Sequence, residues 1–312
     1  MNRSSSPLLL LLLTLFLSLP MLAQEEGEGQ YVTSDLLASL KPGDKAALLM
    51  VHFGTSYADT RALTIDAINA KAREAFPELE VREAYTSRII IRKLGRSGLK
   101  KVTPLEALFA LRSEGYTHVV VQSTHLIDGV EMESLRHDVE SMAPFFKEIR
   151  VGTPLIYSVD DAAKVADILA TRHANDQKKA HVMLVGHGTY TPATATYSQM
   201  DYMLKAAGHT HFHVATIEGY PTLQTALAQI KADKGKSVTL VPLMFVAGDH
   251  ARNDIAGEWK EALEAEGLTV TTVMEGLGQV PEIQDLYIDH IRFSLSHRTV
   301  GVMEKKTFYN ER

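Results

Sequence analysis

One motif, met twice, limits this chain's fold more than any other feature: a short apolar run that ends in a glycine turn. LLMVHFGTS (48–56) and MLVGHGTY (183–190) align when Gly54 is set on Gly188. EVREAYTS (80–87) aligns with HVATIEGY (213–220) when Val81 is set on Val214, and VVVQSTHLIDG (119–129) resembles TLVPLMFVAGD (239–249). Runs without polar alternation are strands buried on both faces, and amphipathic segments between them are the helices that cover those faces. The spacing predicts strands over 45–53, 80–85, 116–122 and 148–151, then 181–185, 211–217, 237–245 and 268–274. Helices are expected over 61–76, 104–114, 133–146, 222–231, 254–266 and 281–297. The expectation is an α/β chain of two duplicated parallel-sheet halves, 43–157 and 158–297, around a shared cleft at the carboxyl ends of the strands. A polar lead-in (24–42) and a tail (298–312) flank them.

The first residues read differently. Arg3 precedes a nearly pure apolar run, 8–19, which Pro20 breaks. The run is short for a membrane span and reads as a secretory signal peptide, 1–23, cut near Ala23. That predicts a periplasmic protein with no lasting membrane insertion. The chain has no cysteine, so neither disulfides nor thiolate metal sites are available. A net charge of -6 gives no reason to expect a nucleic-acid partner.

Chemistry-bearing residues gather at strand ends of the second half. His187 follows the first strand, Glu218 ends the second and His250 lies past the third, each beside or near glycine. Two imidazoles and a carboxylate suit a borderline divalent metal such as Co2+, Ni2+, Fe2+ or Zn2+. At the matching places the first half carries Phe53 and Tyr85, which read either as core aromatics or as faces for a flat aromatic ligand. Thr55 and Ser56 follow the Gly54 turn and are candidate ligand contacts. The basic stretch 88–101 supplies positive charge, with Arg88 placed nearest the cleft as a carboxylate clamp. Gly235-Lys236-Ser237 lacks the first glycine of a phosphate-binding loop, and no GxSxG nucleophile turn occurs. The run His209, His211, His213 reads as a polar strand face, with loose metal binding as its alternative. His125 has three readings: a cleft-lining side chain, a hydrogen-bonded loop histidine, or an axial haem ligand between subunits.

VHFGTS (51–56), QSTHLIDGVE (122–131), VGHGT (185–189), IEGYP (217–221) and PLMFVAGDHARND (242–254) together resemble the anaerobic cobaltochelatases of cobalamin synthesis. These are class II, ATP-independent chelatases, the class that also holds ferrochelatases. The resemblance covers roughly residues 43–297. It implies two flavodoxin-like halves, sirohydrochlorin or its one-step-earlier precorrin as substrate, and Co2+ as substrate metal with Fe2+ as rival. It also implies a His–Glu–His metal site falling on His187, Glu218 and His250, with His187 as leading proton acceptor. A homo-oligomer, dimer or tetramer, is expected. The competing classes are a periplasmic solute- or metal-binding protein and a haem or tetrapyrrole carrier.

Overall fold

The computed structural model describes residues 30–174 and 180–310. The expected signal peptide lies outside the described residues. Among the described residues no helix is long and apolar enough to cross a membrane.

Among the described residues ten strands form three sheets. In chain order they are β1 (Tyr31–Thr33), β2 (Ala46–His52), β3 (Glu80–Tyr85), β4 (His118–Ser123), β5 (Glu148–Val151), β6 (Ala180–Gly188), β7 (Phe212–Glu218), β8 (Ser237–Leu243), β9 (Thr269–Thr272) and β10 (His297–Thr299). Two four-stranded sheets share one order, β3-β2-β4-β5 and β7-β6-β8-β9, and every neighbour in them is parallel. The duplicated parallel-sheet architecture therefore stands.

The registers correct the alignment between halves. With Gly54 on Gly188, His52 falls on Gly186. His52 pairs with Tyr85 and Gly186 with Thr216, so Tyr85 corresponds to Thr216. Glu218, which pairs with Gly188, corresponds to Ser87. Likewise Val51 pairs with Ser123 and Val185 with Pro242, which sets His125 on Met244 and not on Phe245. Apolar runs align almost equally well after a slip of one or two residues; only the hydrogen-bonded ladder pins the register.

Alternate residues of each central strand serve different cores. Leu48 and Met50 face inward with Leu184 and Val241, in one cluster that joins both halves. Leu49 and Val51 face outward onto Leu108, Leu111 and Leu135, and Met183 and Val185 onto Ile230, Ile255 and Leu263. The outer helix Pro104–Ser113 starts with proline at its first turn and a Thr103–Glu106 capping box, so its entry is set locally.

Four helices of the described residues lie outside the segments expected to be helical: Arg88–Arg96, Val159–Arg172, Ala195–Ala206 and Val302–Asn310. Val159–Arg172, which follows β5 of the first half, packs on Ala195–Ala206 of the second. Helix Pro281–Ser296 leaves the second half and lies against β4 and the helix Ala67–Ala75 of the first. The crossing of Pro281–Ser296 onto the first half helps make the central core continuous. β1 and β10 pair antiparallel, joining the segments read as lead-in and tail.

Arg150 locks this crossing. It is buried, and its guanidinium donates to the carbonyls of Ser34 (2.7 Å), Ser294 (2.9 Å), Leu295 (3.0 Å) and His297 (3.1 Å). It also pairs with Glu148 at 2.6 Å. Those carbonyls include ones at the end of helix Pro281–Ser296 that have no partner within the helix.

Candidate functional site

The strand ends of both sheets converge on a cleft of about 410 Å3, lined from the first half by Phe53, Thr55, Ser87, Ile89, Thr124, His125 and Glu131, among others, and from the second by His187, Thr189, Glu218, Phe245, Asp249 and His250. Gly188 makes the second wall. Its φ is 86°, and a Cβ there would stand 1.5 Å from the Glu218 carbonyl oxygen. Only glycine lets β6 run beside β7 to the level of Glu218.

His187 and His250 come together, with ring centroids 4.6 Å apart and planes at 82°. Their tautomers follow from their partners. His187 Nδ1 lies 3.1 Å from the Gly188 carbonyl oxygen, and His250 Nδ1 lies 2.6 Å from Asp254 Oδ2. Carbonyl and carboxylate oxygens accept, so in each ring Nδ1 is the donor, and in the neutral tautomer this sets, Nε2 carries the lone pair. His250 stands where the chain enters a helix, just before a π-helical stretch, Ala251–Trp259, and Asp254 is one turn on. The i, i+4 spacing in HARND was a readable sign of that support.

Glu218 lines the same cleft and is exposed at the end of β7. Among the described residues no three His, Asp or Glu side chains stand close enough to hold a metal ion together. The structure therefore assembles a histidine pair with a carboxylate nearby, short of a closed three-ligand cage.

The first-half wall departs from expectation in three places. Phe53 is 43 % exposed and lines the cleft, but Tyr85 is fully buried and does not. Tyr85 belongs to the central core and lies directly beneath Gly54: a Cβ on Gly54, whose φ is 101°, would be 2.4 Å from its ring. The alternation of β3 turns Ala84 to the outer core and Tyr85 inward. Ser56 is not among the lining residues, whereas Thr55 is, buried and accepting the Tyr57 N–H at 3.2 Å. Arg88 is exposed and also outside the lining set; its charge acts on Glu106 and Asp138, away from the cleft. Helix Arg88–Arg96 instead presents Ile89 to the cleft and Lys93 to the ring of Tyr57, 5.6 Å from its centroid.

Tyr57 anchors a cross-cleft contact that sequence reasoning missed. Its hydroxyl donates to Asp249 Oδ1 at 2.6 Å, and the Arg252 guanidinium covers its ring at 4.1 Å while bonding Asp59 at 3.0 Å. Lys93 and Arg252 thus both sit on the ring of Tyr57, which is bonded to the lining residue Asp249.

Beneath the cleft floor runs a buried polar chain. His52 Nδ1 meets Thr124 Oγ1 and His52 Nε2 meets Asn69 Oδ1, both at 3.0 Å. Asn69 donates to Glu83 at 2.9 Å, and Glu83 pairs with Lys101. Burial pushes His52 down to about 3, so it is neutral. Lys101 is thereby occupied with Glu83 and is not a free cation of the basic stretch.

His125 lines the cleft with its side chain 10 % exposed. Its position agrees with the cleft-lining reading. The His209–His213 run forms no metal cluster: His213 is held by His181 (2.9 Å) and Gln229 (2.8 Å).

The comparisons with known proteins agree with this geometry. The sequence model for cobalt chelatase (CbiK) matches residues 46–296. The sirohydrochlorin cobaltochelatase of Salmonella typhimurium is 35% identical over 257 residues, covering 81% of this chain and 97% of that protein. The sirohydrochlorin cobaltochelatase CbiKC of Nitratidesulfovibrio vulgaris is 34% identical over 272 residues, covering 83% and 96%. Among solved structures, SirB from Bacillus subtilis with Fe3+ superposes with a TM-score of 0.58 at 16% identity, covering 80% of this chain and 96% of that one. At that identity the likeness concerns the fold. With a family match spanning both halves and the cleft between them, the chain belongs to the cobalt chelatase (CbiK) family.

Proposed function

We propose that this protein inserts Co2+ into sirohydrochlorin without ATP. The observation that carries the reading is the His187–His250 pair, whose two free Nε2 lone pairs stand at the edge of a largely apolar cleft. Such a pair can hold a divalent ion while leaving coordination positions open to incoming ring nitrogens. Phe53 and Ile89 offer apolar faces to a flat macrocycle, with Glu218 free to swing toward the ion. The activity named for both relatives supports the substrate. An anaerobic assay of the purified chain with sirohydrochlorin and either Co2+ or Fe2+ tests it: metal-dependent change in the visible spectrum without nucleotide is expected, faster with Co2+. No spectral change with either metal overturns the reading.

Sirohydrochlorin is rich in carboxylates, so cations at the cleft mouth set its affinity. Arg252→Ala is expected to raise KM for sirohydrochlorin about fivefold, or ~1 kcal/mol, with kcat little changed. Arg88→Ala is expected to leave KM near the wild-type value. The reverse order of effects would return the carboxylate role to Arg88.

Export is proposed from the apolar run 8–19, and homo-oligomeric assembly accompanies it as a proposal. Intact mass of the protein from its native host is expected to show a chain beginning near Gln24; a chain that retains Met1 in the cytoplasm contradicts export. Light scattering of the same sample reads the assembly, and a monomer contradicts the dimer or tetramer.

A further inference from the structure

His187 and His250 both belong to the second half, but their supports differ. His187 rides on β6, a strand held on both sides within its own sheet. His250 stands where the loop after β8 enters its π-helical stretch, with its side chain 45% exposed. Ala247, Ala251 and Ile255 anchor that segment in the outer core of the second half.

The residues on either side of His250 are tied to the first half. Asp249 accepts the Tyr57 hydroxyl at 2.6 Å, and Arg252 lies 4.1 Å over the Tyr57 ring while it bonds Asp59 at 3.0 Å. The Thr60 hydroxyl donates to the Ala247 carbonyl at 3.5 Å. Residues 57–60 of one half thus hold residues 247–252 of the other at several points. The hydrogen bond to Asp249 raises the Tyr57 hydroxyl above the usual phenol range, so it keeps its proton and donates. Tyr57 is itself fixed from within the cleft: its backbone N–H donates to Thr55 Oγ1, on the same turn as Phe53, and both Phe53 and Thr55 line the cleft. Partners behind a metal-binding side chain set its orientation as much as the side chain does.

We propose that Tyr57 is a positioning residue for the metal site: through Asp249 it sets where His250 stands relative to His187. The half that offers Phe53 to the macrocycle then also sets the geometry at which the ion is held. This rests on the metal-insertion reading above. Asp254 orients the His250 ring through Nδ1, whereas Tyr57 acts on the backbone beside it. Tyr57 touches neither the ion nor the macrocycle in this scheme.

The test is Co2+ binding by the purified full chain, measured by calorimetry and by the visible bands of the bound ion, whose intensity reports its coordination geometry. Sirohydrochlorin affinity is read separately by quenching of its fluorescence. Tyr57→Phe keeps the ring under Arg252 and removes only the hydroxyl. It is expected to weaken Co2+ binding and raise KM for Co2+ about tenfold, the low end for losing a partner behind a metal ligand. The Co2+ bands should change, with sirohydrochlorin affinity and the urea midpoint close to wild type. Asp249→Asn keeps an oxygen that accepts the hydroxyl and should retain most of the Co2+ affinity. Asp249→Ala should match Tyr57→Phe, and the double variant should be no worse than either alone, as for two residues acting through one bond. Tyr57→Phe with wild-type Co2+ affinity overturns the proposal, as does a variant whose only defect is weaker sirohydrochlorin binding. Equal losses in Asp249→Asn and Asp249→Ala beside an unaffected Tyr57→Phe would make Asp249 a direct ligand and also overturn it. Should Tyr57→Phe fail to fold, wild-type Co2+ affinity in Asp249→Ala overturns it. A wild-type chain that inserts no cobalt removes the metal-insertion reading itself; an active wild type with unaffected variants removes only the positioning role.

Discussion

His187→Ala is expected to lower kcat/KM for cobalt insertion by about 1000-fold or more, ~4 kcal/mol of transition-state stabilisation. The ring is one half of the only imidazole pair in the cleft found in direct ring contact among the described residues. Its loss removes a single hydrogen bond to Gly188 from the fold, roughly 1 kcal/mol, so thermal stability should barely change. His250→Ala should match it in effect. Asp254→Ala should cost less, about 10- to 100-fold, because Asp254 acts only by holding Nδ1–H. Co2+ titration alongside turnover separates the roles. If His187→Ala and His250→Ala both keep wild-type Co2+ affinity and rate, the imidazole pair is not where metal enters.

The second large effect concerns stability. Arg150→Ala should destabilise the fold by about 3–5 kcal/mol, the range for removing one partner of a buried charge network. The substitution strands the Glu148 carboxylate and at least three carbonyls gathered from Ser34 and the end of helix Pro281–Ser296. Arg150→Lys should recover little, since one ammonium cannot reach carbonyls spread around a guanidinium fork. Urea unfolding measures it, and a loss below about 1 kcal/mol would show that the crossing helix is held by its apolar face alone. Arg150 is not a cleft-lining residue, so any surviving folded variant is expected to turn over normally.

Much of the site was legible because its signals are local. A glycine turn at the end of an apolar run placed His187 at a strand end, and Glu218 and His250 at two more, and all three line one cleft. His250 and Asp254 sit one helical turn apart in the sequence itself. Arg88 does not line the cleft: residue order marks a basic stretch there but not which side of its helix meets the cleft, and Ile89 and Ile90 do. Tyr85 failed for a related reason. Strand alternation is readable, but which face meets the cleft depends on the register with β2.

By itself the sequence determined the strands, their parallel arrangement in two like halves, and the residues at their carboxyl ends. Those properties follow from period, apolar content and glycine conformation, each set within a few neighbouring residues. Only the tertiary structure decided the register between halves and the crossing of helix Pro281–Ser296 onto the first half. It alone paired β1 with β10, drew the His52–Asn69–Glu83 chain under the cleft, and buried His125 Nε2 without a partner. Each of these joins residues far apart in the chain, through hydrogen bonds and packing that depend on where the partner lies. A local pattern records that a side chain will be buried; it does not record beside what.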